Sequence, residues 1–211
     1  MKNIILFLLI APLILSAQRN TGEIKLGHFS PSATDGGFII GYEGGKFVDK
    51  NFKIGWSIDW FHKNYLDKTL VEKFDFYFGP SGTINEVRAE TNLHSIPLLF
   101  TMSGYFPMSP RVSAYATGGI GAEMLLIFYN NFDNPSNDEF ESAFDFSWRI
   151  GFGLLYEIGR RSDVFVEMTY HNSQPSWTYE VEDNYGHVAH RFERVFDMTG
   201  VMTRFGVRFY W

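Results

Sequence analysis

The first residues that could do chemistry are a histidine–serine pair, His171 and Ser173, with Glu182 further along the chain. In a hydrolytic triad, a histidine takes the proton of a serine hydroxyl while a carboxylate orients the imidazole ring. The apolar residues from Val164 to Tyr170 occupy every second position, so His171 and Ser173 fall in the opposite phase of the same strand. The pair is therefore either a catalytic candidate or the polar rim at the end of a strand.

Two other groups of polar residues could hold a metal ion, but neither has a complete pattern. His187 and His190 have a spacing that suits a helix, yet two histidines do not complete a zinc site. The stretch NNFDNPSNDEFES carries four carboxylates between residues 133 and 141 without the spacing of an EF-hand calcium loop. We interpret both stretches as exposed loops and predict no metal and no cofactor.

Charged residues also recur at positions that alternate with apolar ones. A buried charge without a partner is costly, and guanidinium groups suit two-point contacts with carboxylates. Because six acids and six bases share the same phase, we predict that they form an ion-pair network in the interior. Its predicted members are Lys25, Glu43, Lys53, Asp59, Lys63, Glu123, Asp145, Arg149, Glu157, Glu167, Arg204 and Arg208.

The elements that must position these residues are β-strands, because apolar residues recur with a period of two. From Phe144 to Ile158 every second residue is apolar, which is typical of a strand with two different faces. The same pattern predicts eight strands. They span residues 23–30, 37–46, 52–63, 92–106, 111–127, 143–158, 163–173 and 197–211.

The connections between these strands predict how they are arranged. Short turns near 47–51, 107–110 and 159–162 alternate with longer loops at 64–91, 128–142 and 174–196, which is the plan of a transmembrane barrel. Eight strands enclose a lumen just wide enough for side chains. The apolar phase is too bulky for that lumen, so it faces lipid. We predict an all-β, eight-stranded antiparallel up-and-down barrel with a packed polar lumen.

Composition and targeting agree with an exported membrane protein. Residues 1–17 have a positive start, an apolar segment and a small-residue cleavage site, as in a secretory signal peptide. Residues 18–211 then form the barrel domain. The chain has no cysteine, and aromatic residues make up 18% of it, an aromatic load that suits membrane-facing strands. Its net charge of −6 and the lack of a basic patch argue against nucleic acid as a partner.

The strand patterns resemble those of small eight-stranded outer-membrane barrels, the OmpX-like and OmpA-barrel-like proteins of the outer membrane protein beta-barrel domain family. The resemblance rests on FDFSWRIGFGLLYEIG, SDVFVEMTYH, SIPLLFTMSGYFP and GVMTRFGVRFYW. It implies a monomer in the cell outer membrane, in contact with lipid and lipopolysaccharide. It also implies that the insertion machinery reads the end of the last strand as an assembly signal, here Phe205, Val207, Phe209 and Trp211.

The resemblance leaves the function open between three classes. The main expectation is a structural or surface-binding role through the extracellular loops, where turn residues suggest that strands continue as a protruding sheet. A narrow channel for small solutes is one alternative. A lipid A-modifying hydrolase is the other, because deacylases built on small barrels resemble His171, Ser173 and Glu182 in residue types. In that family asparagine follows the serine and the pair faces lipid, whereas this chain has Gln174 there and an inward-facing pair.

Overall fold

The computed structural model of the chain describes residues 19–66, 76, 90–130, 138–182 and 188–211. The strands in these ranges are β1 (Asn20–Pro31), β2 (Gly37–Phe47), β3 (Phe52–Leu66), β4 (Glu90–Pro107), β5 (Val112–Asn130), β6 (Asp138–Gly159), β7 (Ser162–Asn172), β8 (Ser176–Glu182), β9 (Val188–Val195) and β10 (Gly200–Tyr210). No helix in the same ranges is long and apolar enough to cross a membrane.

Eight of these strands form a closed antiparallel barrel in the order β1-β10-β7-β6-β5-β4-β3-β2. The barrel closes where β1 pairs with β10, from Thr21 opposite Tyr210 to Pro31 opposite Gly200. The remaining two, β8 and β9, pair with each other as a separate hairpin inserted between β7 and β10. The predicted eight-stranded all-β barrel is confirmed.

Side chains alternate between the outer wall and the lumen along each barrel strand. In β6, Phe144 and Phe152 are 68% and 65% exposed, whereas Arg149 between them is 4% exposed. Successive side chains of a strand point to opposite faces. The apolar phase therefore covers the outside of the barrel, and the polar phase lines the lumen.

The two ends of the barrel differ. At the turn end lie Arg19, Trp211 and the tight connections at residues 48–51, 108–111 and 160–161. At the other end, which we call the loop end, β1 connects to β2, β3 to β4, β5 to β6, and β7 to β10 through the β8–β9 hairpin. Both names refer only to the connections and not to a side of a membrane.

Four strands continue past the closed barrel at the loop end. The β5–β6 ladder runs to Asn130 opposite Asp138, whereas the β6–β7 ladder ends at Trp148 opposite Asn172. At about 3.3 Å per residue, the first residues of β6 extend the sheet well beyond the rim. We call this extension the projecting sheet. It comprises residues 62–66 of β3, 90–94 of β4, 126–130 of β5 and 138–142 of β6.

The lumen is packed in three layers, of which the middle one is charged. Toward the turn end, Tyr105, Tyr115, Leu155 and Phe165 form an aromatic-rich layer. Toward the loop end an apolar layer fills the lumen. It consists of Phe29, Ile39, Phe61, Leu93, Leu125, Ile127, Ala143, Phe196, Met198 and Met202. The charged middle of the lumen therefore lies between two layers rich in apolar side chains, which the strand pattern alone did not predict.

The observed strands differ from the predicted ones mainly at the loop end. β5 and β6 extend into the predicted loop 128–142, and β8 and β9 lie in the predicted loop 174–196. The last strand begins at Gly200 and not at residue 197. Here the Asp197 carboxylate accepts the Thr199 N–H at 3.0 Å, a local turn that interrupts the ladder.

Candidate functional site

Charged side chains in the middle of the lumen form a continuous series of ion pairs, which we call the charged chain. Arg149 Nη2 lies 2.6 Å from Asp59 Oδ2, and Arg204 Nη1 lies 2.8 Å from Asp59 Oδ1. The other amino group of Arg204, Nη2, lies 2.6 Å from Glu167 Oε1. One guanidinium thus joins two carboxylates that come from opposite parts of the barrel.

Two lysines carry the charged chain from Glu167 toward the turn end. Lys25 Nζ lies 3.3 Å from Glu167 and 2.7 Å from Glu43. Lys53 Nζ lies 2.6 Å from Glu43 and also contacts Glu23. Glu23 then accepts a hydrogen bond of 2.8 Å from Arg208 Nε, which completes the series.

Alternation of sign is what allows these charges to be buried. Each of the four carboxylates contacts at least two cationic groups, and all the side chains are at most 5% exposed. Such contacts offset the large cost of removing each ion from water. Gly41 makes room for the Asp59 carboxylate, because a Cβ at Gly41 would lie 1.9 Å from Asp59 Oδ1.

Two tyrosines connect the charged chain to the aromatic layer below it. The Tyr115 hydroxyl donates to Glu167 Oε2 at 2.9 Å, and Arg208 Nη2 donates to the Tyr105 hydroxyl oxygen at 2.7 Å. The Arg208 guanidinium carbon also lies 4.8 Å from the centre of the Tyr105 ring, in cation–π contact. The charged and aromatic layers therefore form one packed interior.

Four predicted network members do not join the charged chain, namely Lys63, Glu157 and Asp145, and also Glu123, which is described below with His171. Lys63 is half-buried and donates to the Gly36 carbonyl at 3.2 Å, because its position lies near the loop end and above the carboxylates. Glu157 is exposed because it lies at the turn-end rim. The Asp145 carboxylate accepts a hydrogen bond of 2.6 Å from the Gln174 N–H. Its partner is therefore a backbone group, whereas the prediction expected a cationic side chain.

Glu23 is a member that the sequence prediction missed. It is 1% exposed and touches Lys25, Lys53 and Arg208. The sequence pattern could have predicted that Glu23 points inward, because it lies two residues before Lys25 and so has the same phase on the strand. Glu23 is the first residue of the predicted strand, and for this reason the prediction does not assign it to the interior. The observed β1 begins three residues earlier, at Asn20.

The predicted catalytic histidine belongs to a second polar cluster inside the lumen. His171 is fully buried, and its Nε2 lies 2.7 Å from Glu123 Oε2. The other oxygen of Glu123 accepts a 2.6 Å hydrogen bond from the Ser95 hydroxyl. Phe29 of the apolar layer packs edge-on against the imidazole, with ring centres 5.8 Å apart. Glu123 is thus a partner of His171 and does not join the charged chain.

The predicted nucleophile has a different partner from the predicted base. Ser173 is buried, and its hydroxyl lies 3.4 Å from Asp145 Oδ2. Glu182 lies on β8 opposite Val188, and its side chain is outside the described residues. With His171 held by Glu123 and Ser173 by Asp145, the two residues do not form a nucleophile–base pair in this arrangement.

The candidate metal-binding stretches lie largely outside the described residues. His187 and Asp133 lie outside the described residues, as does the His190 side chain. Among the residues that the structure describes, no three His, Asp or Glu side chains are grouped so that they could hold a metal ion.

The end of β10 presents apolar side chains to the outside. Phe205, Phe209 and Trp211 are 61%, 46% and 65% exposed, and Val207 is half-buried in the same outward phase. The backbone of Trp211 pairs with Asn20 through two hydrogen bonds of 3.1 Å. The last aromatic residue therefore lies at the seam where the barrel closes.

A row of aromatic rings crosses the outward face of the projecting sheet, and we call it the aromatic ladder. The rings of His62 and His94 stack with centres 4.5 Å apart, and His94 meets Phe128 edge-on at 5.5 Å. Phe128 in turn lies 5.1 Å from Phe140, which is 54% exposed. The ladder thus spans β3 to β6, and this row is aromatic surface beyond the barrel rim.

His94 of the ladder is held in one orientation by a hydrogen bond from Trp60. Trp60 Nε1 lies 3.2 Å from His94 Nδ1. Because an indole N–H can only donate, His94 Nδ1 accepts and its other nitrogen carries the proton. Partial burial and the neighbouring His62 lower the pKa of His94 below its usual value. The ladder therefore offers flat rings, and His94 adds an N–H donor without a positive charge.

Comparisons with known proteins agree with this architecture. Residues 9–192 match the family described as outer membrane protein beta-barrel domain. Among solved structures, a major outer membrane protein from Thermus thermophilus is 11% identical, with a TM-score of 0.61 and coverage of 93% of this chain and 100% of that one. The outer membrane protein OprG from Pseudomonas aeruginosa is 9% identical, with a TM-score of 0.55 and coverage of 92% and 94%. No curated protein matches the sequence.

Proposed function

Since this chain belongs to the outer membrane protein beta-barrel domain family, we propose that it is a surface-binding protein of the cell outer membrane. In this proposal residues 1–17 direct export, and the insertion machinery assembles the barrel as a monomer. The turn end faces the periplasm and the projecting sheet faces the cell exterior. The packed barrel anchors the chain in the membrane, and the aromatic ladder is the surface that binds a ligand outside the cell.

The filled lumen supports an anchoring role over conduction. Charged residues such as Arg204 and Glu167 are 1% and 2% exposed and are paired with each other. Above them, Phe61 and Leu93 of the apolar layer are fully buried. A solute would have to break ion pairs and displace packed side chains, so a narrow channel is disfavoured.

The lumen also disfavours the hydrolase. A lipid substrate would approach from the outer wall, whereas His171 and Ser173 are 0% and 1% exposed and face inward. Each is bound to a different carboxylate, Glu123 and Asp145 respectively. Catalysis on lipid would require both side chains to leave the lumen.

The aromatic ladder is the observation that carries the proposed binding role. Below it, the outward side chains are apolar, such as Trp60 at 46% and Phe144 at 68% exposure. At His62 and His94 the outward side chains of β3 and β4 carry imidazole nitrogens, so in this proposal the row lies where hydrocarbon gives way to head groups. At that level of the outer leaflet, the ladder faces the sugars of neighbouring lipopolysaccharide. Flat rings and an imidazole N–H suit the C–H face and hydroxyls of a saccharide.

The test compares lipopolysaccharide that carries its core sugars with lipid A that lacks them. The wild-type protein, purified and refolded in detergent, is titrated with each and the apparent dissociation constants are compared. We expect core-bearing lipopolysaccharide to bind more tightly. Phe128→Ser with Phe140→Ser should weaken its binding about tenfold, since each ring contact contributes roughly 0.5–1.5 kcal/mol.

The matched control is Val195→Ser, which removes an apolar side chain that is 56% exposed at the same end but outside the ladder. This variant should keep the wild-type preference. Equal affinity of the wild-type protein for lipopolysaccharide and lipid A would contradict the proposal. So would an unchanged preference in the double variant.

A further inference from the structure

A second candidate binding site lies at the opposite end of the barrel, around the end of β10. The Arg161 carbonyl accepts a 3.1 Å hydrogen bond from the Tyr210 N–H, which fixes the β6–β7 turn on one side of β10. On the other side, Asn20 pairs with Trp211, so the preceding residue, Arg19, lies next to the same strand end. Two backbone connections thus bring basic residues from distant parts of the sequence to Trp211.

These residues line a cleft of about 400 Å³ at the turn end. Its lining residues are Arg19, Arg160, Arg161, Tyr210 and Trp211. All three arginines are exposed. A carboxylate at the end of Trp211 would cancel one of the three charges and leave the cleft cationic. Guanidinium groups in such a cleft suit a phosphate, which they can bind through two parallel hydrogen bonds.

An apolar furrow of about 600 Å³ runs along the outer wall beside this cleft, and Trp211 borders both. The furrow is lined on its apolar side by Tyr42, Gly44, Ile54, Trp56 and Phe100. Lys46 lies in the lining at the turn-end side, in the outward phase of β2. A cationic cleft and a wall furrow therefore meet at a single tryptophan.

Two glycines let the aromatic rings of the furrow lie close to the wall. A Cβ at Gly22 would be 3.0 Å from the Trp211 ring and 3.1 Å from the Tyr42 hydroxyl. A Cβ at Gly44 would be 3.1 Å from Trp56 Nε1. The rings thus lie over backbone that has no side chains, and the furrow runs between them along the barrel wall.

We propose that this cleft and furrow together bind one anionic phospholipid of the periplasmic leaflet. Its phosphate lies among Arg19, Arg160 and Arg161, and one acyl chain lies in the furrow beside Trp56. The inference rests on the proposed orientation, in which the turn end faces the periplasm. Aromatic residues such as Trp211 lie at the membrane interface, which is also the level of head-group phosphates.

The combination of the two surfaces selects the lipid over a free anion. A free phosphate would use the cleft alone, whereas the adjoining furrow matches a hydrocarbon chain. The cationic character of the cleft favours a head group with net negative charge over a zwitterionic one. Each basic group near a membrane surface strengthens the binding of anionic lipid roughly fivefold.

The experiment measures lipid binding to the full barrel in detergent by native mass spectrometry. The probes are phosphatidylglycerol, phosphatidylcholine with the same acyl chains, and soluble glycerol phosphate. We expect the wild-type protein to prefer phosphatidylglycerol. Arg160→Gln with Arg161→Gln should weaken its binding on the order of 20-fold, to the level of phosphatidylcholine.

The control is Lys50→Gln with Arg111→Gln, which removes two positive charges from the same end but outside the cleft. It should change phosphatidylglycerol binding less than twofold. Equal losses in both double variants would overturn the proposal, since the effect would then be one of overall charge. Competition by glycerol phosphate at the same concentration as the lipid would also overturn it, in favour of a free phosphate site. Neither result depends on lipopolysaccharide binding at the loop end, so the two proposals fail separately.

Discussion

At the scale of single residues, Arg204 is the central connection of the charged chain. It joins Asp59 at 2.8 Å and Glu167 at 2.6 Å, and it is 1% exposed. The next residue, Phe205, is 61% exposed on the outer wall. Two consecutive side chains of one strand therefore lie in opposite environments, and their substitutions test which environment each one has.

We predict that Arg204→Leu destabilises the barrel. The change leaves Asp59 and Glu167 each with one cationic partner fewer, and removing one member of a buried ion pair costs about 3–5 kcal/mol. The measurement is the urea midpoint of the barrel refolded in detergent or lipid. An arginine that faced lipid would give the opposite sign, because its removal would raise the midpoint.

Phe205 provides the controls for this substitution. Phe205→Leu keeps an apolar group on the outer wall and should change the midpoint little. Phe205→Arg should destabilise strongly in lipid, because an arginine near the bilayer midplane costs roughly 2–4 kcal/mol. The result for Arg204→Leu is meaningful only if the Phe205→Leu variant refolds like the wild-type protein.

At the scale of elements, β10 closes the barrel and carries the proposed assembly signal. Its partners are β1 on one side and β7 on the other, with long uninterrupted ladders to both. Arg204 and Arg208 connect the inner face of β10 to Glu167 of β7 and Glu23 of β1. Phe205, Phe209 and Trp211 cover its outer face. The strand is therefore both the seam of the barrel and part of its apolar outer wall.

Deletion of Trp211 should lower the amount of folded barrel in the outer membrane. The deletion removes the two backbone hydrogen bonds to Asn20 together with the last outward aromatic side chain. The measurement is the fraction of heat-modifiable protein in isolated outer membranes. Trp211→Phe keeps the aromatic group and the backbone pair, so it should assemble normally. Equal folded fractions for the deletion and the wild-type protein would show that Trp211 is dispensable for assembly.

At the scale of the whole molecule, charge is distributed unevenly between the two ends. Each of the predicted long loops, 64–91, 128–142 and 174–196, contains more acidic than basic residues. The turn end carries Arg19, Lys46, Lys50, Arg111, Arg160 and Arg161. This asymmetry supports the proposed orientation, because basic residues favour the anionic phospholipids of the periplasmic leaflet.

The orientation predicts where a protease can reach the protein on intact cells. A protease of broad specificity should cleave within 64–91, 128–142 and 174–196 and spare the turns at 48–51, 108–111 and 160–161. Permeabilised cells are the control, since in them both ends are accessible. Mass spectrometry of the fragments identifies the cleavage sites. Cleavage confined to the turns on intact cells would reverse the orientation.

The strand pattern by itself determined most of the architecture of this protein. A period of two is a local property, and the opposite directions of successive side chains follow from the pleat of a strand. It was therefore possible to predict eight barrel strands and to assign Arg149, Arg204 and Arg208 to the lumen. Local pattern also predicted the inward phase of His171 and Ser173.

Only the tertiary structure decided which of these residues meet. Glu23 and Arg208 are 185 positions apart in sequence, and their contact depends on the register of the β1–β10 seam. Strand pattern gives the phase of a residue but not its height in the barrel. Because of their heights, Lys63 and Glu157 lie away from the charged chain and do not join it. His171 lies at the height of Glu123 and pairs with it. The apolar layer of the lumen, the aromatic ladder and the arginine cleft likewise appear only when strands distant in sequence lie side by side.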